Sequence, residues 1–257
     1  MHPILHIGPL AIQLPGLIYL LGLWMGTLWT ERQAVRLQMD ANILYNLVFY
    51  TLIAGVISAR LSFAAQNMSA FTASPLSLFS LNPGLFDPWG GLGGGLIVAL
   101  IYGNRNQLNW WITLDSLVPL FTVLMVAIPL ANLASGNGYG KPTDLPWAID
   151  LWGTQRHPTQ IYESTAAIFV LILFWRAEAF FTRLNAGEKF LSFLSISAFA
   201  RIFLETFRGD SGFLPLGLRT NQVIAWLVLA VCLWGFYQRH DWGMNNPRES
   251  GEKSDTI

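Results

Sequence analysis

No Asp, Glu, Lys or Arg occurs between Ile4 and Thr30, from Ala41 to Ala59, from Trp89 to Asn104, or from Thr220 to Gln238. Runs of this kind restrict the fold more than any other feature of the chain. A helix needs about 20 mostly apolar residues to cross a hydrocarbon core, and only structures that bond their own backbone internally survive there. Residues 114–134, 158–181 and 190–207 are apolar as well, with a few ionisable side chains set into them. The sequence therefore predicts an all-α polytopic membrane protein of about seven transmembrane helices, over about 4–30, 41–60, 89–104, 114–134, 158–181, 190–207 and 220–238. They form a single integral-membrane domain, 1–238, with a small extracytoplasmic loop region and a hydrophilic cytoplasmic tail, 239–257, that reads as disordered. The first run lacks a basic leader and a small-residue cleavage site, so it reads as a retained helix. Residues 61–86 are uncharged but rich in Ser, Asn and Pro, and read as interfacial or re-entrant.

Composition points the same way. Only 12% of the 257 residues are charged and 53% are hydrophobic, whereas soluble domains carry about 25% charged residues. A zero net charge excludes the basic excess of a nucleic-acid binder. The one cysteine, Cys232, sits in an apolar run, so no intrachain disulfide and no Cys-based metal site is possible. No zinc spacing or phosphate-binding glycine loop occurs, and neither a metal nor a cofactor is expected. The basic residues are unevenly placed. One set of loops holds nine (Arg32, Arg36, Arg105, Arg176, Arg183, Lys189, Arg239, Arg248 and Lys253); the opposite set holds four (Lys141, Arg156, Arg208 and Arg219). By the positive-inside rule the amino terminus lies outside and the tail in the cytoplasm.

Charges at membrane depth mark function or a paired partner. Arg201, Glu205 and Arg208 stand at i, i+4 and i+7, one face of a helix. Two readings fit: a structural ion pair between helices, or an anion site in which one Arg pairs with Glu205 and the other holds a phosphate. The run Arg156-His157-Pro158-Thr159-Gln160-Ile161-Tyr162-Glu163 opens the fifth helix on the same side, where helix N–H groups favour an anion. His157 is either a proton acceptor or a helix cap. Glu163, a turn deeper, needs a cationic partner among Arg60, Arg156 and Arg201. The segment Ala131 to Gly140, with three glycines and two asparagines, is either a plain loop or a close backbone approach to a ligand.

Taken together, these motifs give the chain a family likeness. It resembles the prolipoprotein diacylglyceryl transferases through His6-Ile7-Gly8-Pro9-Leu10, Gly16-Leu17-Ile18-Tyr19-Leu20, Ala59-Arg60-Leu61, Gly90-Gly91-Leu92, the run from Arg156 to Glu163, and the Arg-x-x-x-Glu-x-x-Arg stretch from Arg201 to Arg208. Departures from the pattern are Pro15 in place of a Tyr, Trp89 in place of a His, and Pro129 in place of the Arg of a Gly/Asn-rich signature turn. That turn keeps Asn132 and Gly140 but, with Ser135 and Asn137 in the stretch between, lacks the pattern's second Asn and its Glu. The resemblance implies transfer of the diacylglyceryl group of phosphatidylglycerol to the thiol of a lipobox cysteine in a prolipoprotein, with release of glycerol phosphate. It implies a multi-pass protein of the bacterial cytoplasmic (inner) membrane whose partners are phosphatidylglycerol, the prolipoprotein signal-peptide region and membrane lipids. His157, Arg201 and Glu205 are then the catalytic candidates. Arg60, Asn132, Gly140, Tyr162, Glu163, Arg208 and Gln222 are the candidates for holding lipid. The alternative is a catalytically impaired member that binds lipid or a partner; a transporter is disfavoured by the lack of an inverted repeat.

Overall fold

A computed structural model describes residues 4–7, 10–73, 83–181, 184–215 and 217–245 of the chain. The elements in order are a hairpin of β1 (Ile4–Ile7) and β2 (Leu10–Gln13), then α1 (Leu14–Arg36), α2 (Ala41–Gln66), α3 (Met68–Ala73), α4 (Pro88–Arg105) and α5 (Trp110–Ser135). A second hairpin, β3 (Ile149–Leu151) and β4 (Thr154–Arg156), leads to α6 (Thr159–Arg176), α7 (Glu178–Phe181), α8 (Glu188–Leu204) and α9 (Thr220–Asn245). Seven of the described helices have 17 residues or more.

Several expected limits move, each for a local reason. The chain does not enter its first helix at residue 4. A helix running through Pro9 would lack that residue's N–H bond; Ile4–Ile7 pairs with Leu10–Gln13 instead, and α1 opens at Leu14 with Pro15 in its first turn. The second helix continues past Arg60 to Gln66, so part of the supposed interfacial stretch is helical. The helix expected over 158–181 ends at Arg176; Ala177 separates it from the short α7. α8 ends at Leu204 and tightens into a 3-10 turn, Glu205–Phe207. The last helix extends to Asn245, so the start of the expected disordered tail is helical, and 246–257 lie outside the described residues.

Among the described residues, four helical segments have the length and apolarity to cross a bilayer: Ala41–Gln66, Trp110–Ser135, Glu188–Phe207 and Thr220–Gln238. α4 falls short because glycine fills its first half, and α6 because its first turns are polar. Large apolar side chains such as Trp24, Val56, Phe199 and Leu227 are exposed on the helix faces, as in a protein whose solvent is lipid. This is a membrane protein.

The chain divides into two compact units. In the unit Glu31–Thr113, the glycines of α4 lie on α2: a Cβ on Gly91 would meet Ala59 Cβ and Gly55 O at 3.0 Å, and one on Gly94 would meet the Ser58 side chain. Small residues let the two backbones approach, a common membrane-helix contact. The glycine run therefore packs helices. Asp87 caps α4 and accepts from Trp89 N and Gly90 N (both 3.1 Å), Ser62 Oγ (2.6 Å) and Gln66 Nε2 (2.9 Å). These bonds, that from Ser62 foremost, hold its carboxyl below the ordinary aspartate value.

The other unit comprises Met1–Thr30 and Leu114–Ile257. Its aromatic core stacks Phe174 on Phe181, with centroids 4.5 Å apart, and sets Phe193 edge-on to Phe174. The buried carboxylate of Asp115 in α5 accepts from Gly187 N (2.5 Å) and Phe190 N (2.8 Å), capping the start of α8 across the fold.

Candidate functional site

Three short backbone segments build the site's frame. Gly209 N donates to Tyr139 O (2.9 Å), Lys141 N to Phe207 O (2.9 Å), and His157 N to Lys141 O (3.0 Å). Segment 139–141 thus lies between 207–209 and the approach to α6, and Gly140 pairs with Arg208. Gly140 is needed for contact: an added Cβ would run into the carbonyl of His157. The preceding turn is held by the first turn of α6. Thr159 Oγ1 donates to Gly138 O (2.7 Å) and Gln160 Nε2 to Asn137 O (2.8 Å). Gly136 and Gly138 have φ of +79° and +66°, which glycine adopts without strain. Trp152 and Gly153, both at positive φ, close the β3–β4 hairpin as a two-residue turn.

On this frame Arg208 leaves the helix. The i, i+7 expectation fails because the chain is extended at Arg208 (ψ 141°) and bonded to Gly140's segment. Arg208 nevertheless reaches the same cluster. Glu163 Oε1 accepts from Arg201 Nη1 (2.9 Å) and Arg208 Nη1 (3.0 Å). Arg208 also grips Asp210 with Nε and Nη2, each at 2.9 Å. The expectation that one Arg stands apart from the carboxylates is therefore corrected: both are paired. Burial alone would lower the Arg208 pKa, but its hydrogen bonds to Asp210 and the charges of Glu163 and Asp210 outweigh it, and the net shift is upward.

Glu205 is fully buried at the centre. Its Oε1 accepts from Ser211 Oγ (2.7 Å) and Asn221 Nδ2 (3.2 Å). Its Oε2 lies 3.1 Å from Arg201 Nε, a charge contact off the hydrogen-bonding line. Arg219 Nη1 donates to the carbonyls of Glu205 and Arg208 (the latter 2.9 Å) and to Ser211 Oγ (3.0 Å), which pins the loop after α8. Among the described residues, Arg201 Nη2 has no hydrogen-bond partner.

Among the described residues, two cavities adjoin this frame. One, of about 390 Å³, is headed by Glu163, Arg201 and Asn221 and lined below by Met125, Ile128, Pro129, Phe193 and other apolar residues of α5, α8 and α9. The second, of about 880 Å³, is headed by His157, Tyr162 and Trp147 and lined by Phe169, Phe199, Phe203 and Phe207. Ala200 and Leu204 of α8 line both. Tyr162 and Glu163 are consecutive, yet each heads a different cavity.

The structure thus gathers Arg201, Glu205, Arg208 and Glu163 into one cluster and sets His157 and Tyr162 at the neighbouring groove. Trp147 Nε1 donates to Tyr162 OH (2.7 Å), which lies 3.4 Å from His157 Nδ1. The side-chain partner of His157 is therefore Tyr162. Arg156 bonds the carbonyls of Leu151 and Gly140 and covers the Tyr139 ring. Asn132, in the last turn of α5, packs against Gly138. Gln222 donates to Ile202 O (3.2 Å), tying α9 to α8. Arg60 belongs to the other unit, where it is buried, donates to Leu85 O (2.8 Å) and lies over the rings of Phe71 and Phe86. Sequence reasoning missed Asp210, Ser211, Arg219 and Asn221; only their closeness in sequence to Arg208 could have signalled them.

An arginine–carboxylate cluster at the head of an apolar cavity in a polytopic membrane protein defines a class: a membrane protein equipped to hold an amphiphile with an anionic head. The family model for prolipoprotein diacylglyceryl transferase matches residues 2–238, and the chain belongs to that family of transferases. It is 32% identical over 244 residues to the phosphatidylglycerol–prolipoprotein diacylglyceryl transferase of Bordetella parapertussis, covering 90% of this chain and 91% of that protein. Similar proteins of the same name occur in Methylococcus capsulatus (31% over 240 residues, 89% and 90% covered) and Clostridioides difficile (28% over 213 residues, 82% and 84% covered).

Proposed function

We propose that this chain transfers the diacylglyceryl group of phosphatidylglycerol to the thiol of a lipobox cysteine. The observation that carries the reading is Arg201: anchored by Glu163 and Glu205, keeping Nη2 unpartnered, and lining an apolar cavity. The cysteine sulfur forms a bond to the terminal glyceryl carbon, and the bond from that carbon to the phosphate oxygen breaks. The electron pair leaves on the phosphate, and glycerol phosphate departs. Arg201 and Arg208 bind the phosphodiester and stabilise the charge that collects on its oxygen, while Glu205 and Glu163 hold the two forks in place. The thiol, of ordinary pKa about 8.5, passes its proton to His157, which Tyr162 orients. The lipid tails occupy the cavity below Arg201, and the signal-peptide region enters the groove headed by His157 and Tyr162. Asn132 and Gly140 shape the turn beside these groups. Gln222 holds α9 to α8 around the lipid, and Arg60 secures α2 within its own unit. The site faces outward in the bacterial inner membrane, with the amino terminus outside and the carboxyl terminus in the cytoplasm. A second reading, lipid binding without turnover, draws support from Pro129, an uncharged cavity residue where the family pattern has Arg.

The test is release of glycerol phosphate by the purified chain in nanodiscs containing phosphatidylglycerol, with a lipobox peptide added. Release that is lost in Arg201→Ala supports transfer. Retention of phosphatidylglycerol with no release above a protein-free control supports the second reading.

A further inference from the structure

The Arg208 fork has two carboxylate partners of very different character. Glu163 sits on a helix, is nearly buried, and also binds Arg201, so its departure would take a carboxylate from two cations at once. Asp210 lies on the loop after α8 between Gly209 and Gly212, with its side chain 24% exposed. Its described contacts are with Arg208 alone. Water can take over its solvation when it moves away, so leaving costs little. Asp210 meets the guanidinium through two oxygens, one on Nε and one on Nη2, the same two-point contact that a phosphate makes. The charges around it balance: Arg201, Arg208 and Arg219 against Glu163, Glu205 and Asp210. A phosphodiester, with one negative charge, can take the place of Asp210 and leave that balance intact. A phosphate monoester, carrying about −1.5 to −2 at neutral pH, cannot.

We infer that Asp210 is a displaceable internal anion on Arg208. It leaves the fork when a phosphodiester headgroup arrives and returns as a phosphate monoester departs. No covalent bond changes in this exchange. Asp210 is then a specificity-determining residue, setting how tightly the site holds the diester and how readily it releases the monoester. The inference rests on the phosphate reading of this cluster, and deepens it.

The test measures binding, so it does not depend on turnover. The full chain in phosphatidylcholine nanodiscs is titrated with two soluble probes, glycerophosphoglycerol (a diester) and glycerol 1-phosphate (a monoester). Asp210→Asn should bind the diester about three- to fivefold more tightly, the worth of a partly exposed ion pair, and should gain more for the monoester. Asp210→Glu, which restores a carboxylate, should return both affinities toward the parent values, and Arg208→Ala should weaken both. Unchanged or weaker binding by Asp210→Asn overturns the exchange, as does absence of Arg208-dependent binding in every variant. If the affinities shift as expected but no glycerol phosphate is released in the transfer assay, the transferase reading fails and the exchange stands. If release occurs without the affinity shift, only the exchange fails.

Discussion

Arg201 and Arg208 are joined through a single atom, Oε1 of Glu163, which lies 2.9 Å from one guanidinium and 3.0 Å from the other. Two like charges are thereby held close, Arg201 lining the membrane cavity and Arg208 beside it, each with part of its fork directed by a carboxylate. Glu163→Gln leaves an amide that cannot offset both. We expect destabilisation of about 2 kcal/mol, less than the roughly 3–5 kcal/mol for breaking a fully buried pair, because the Arg201 side chain keeps access to solvent. Glycerol phosphate release should fall about a hundredfold or more, the scale of losing an electrostatic group from a reaction centre. Thermal unfolding in detergent and the release assay read the two effects separately.

The turn that ends in Gly140 owes its shape to the first turn of α6 through Thr159 Oγ1 on Gly138 O and Gln160 Nε2 on Asn137 O. Thr159 is buried, and Thr159→Val keeps its volume while removing the donor. The stranded carbonyl should cost about 1 kcal/mol or slightly more. Hydrogen exchange should rise at the amides of Lys141 and His157, which belong to the same frame, and remain unchanged at the α2–α4 contact.

Asp87 gives a pH prediction with a definite sign. Its carboxyl lies below the ordinary value in the folded protein, chiefly through the Ser62 bond. The folded state therefore binds that proton more weakly than the unfolded chain does. Its contribution to stability is complete above the unfolded aspartate pKa and is lost as pH falls through the lower, folded value. Asp87→Asn should remove this part of the acid sensitivity. Melting curves of parent and variant should differ less at pH 3 than at pH 6; a difference that widens toward acid would contradict the assignment.

The helices could be read in the sequence because absence of charge over a long run has one physical explanation. Their ends were harder to read. Ile4 to Gln13 is as apolar as the first turns of α1, and only Pro9 distinguishes a hairpin from a helix there. Within the site, Arg201 and Glu205 were visible as an i, i+4 pair because both lie within one element. Arg208 was misplaced because the extended pairing with Gly140 depends on a segment far away in sequence. Asp210, Ser211 and Arg219 obey no period; they act through a loop whose conformation is set by tertiary bonds. Asp115, capping α8 from α5, is a similar long-range contact within an apolar run.

Orientation is set by where the basic residues fall, and it can be checked chemically. By sequence, nine basic residues fall at or beyond one set of helix ends and four at or beyond the opposite set; a bias of this kind favours keeping the nine in the cytoplasm because cationic segments resist translocation. Cys232, the chain's one cysteine, is buried, so Cys232→Ala gives a clean background. On that background Trp152→Cys puts a thiol at the exposed turn of the β3–β4 hairpin, which the proposed orientation sets on the outer side. Ser254→Cys places one in the tail. A membrane-impermeant maleimide should label the first in intact spheroplasts and the second only after permeabilisation. The reverse pattern would put the Arg201 cluster on the cytoplasmic face, where an acceptor delivered across the membrane could not reach it.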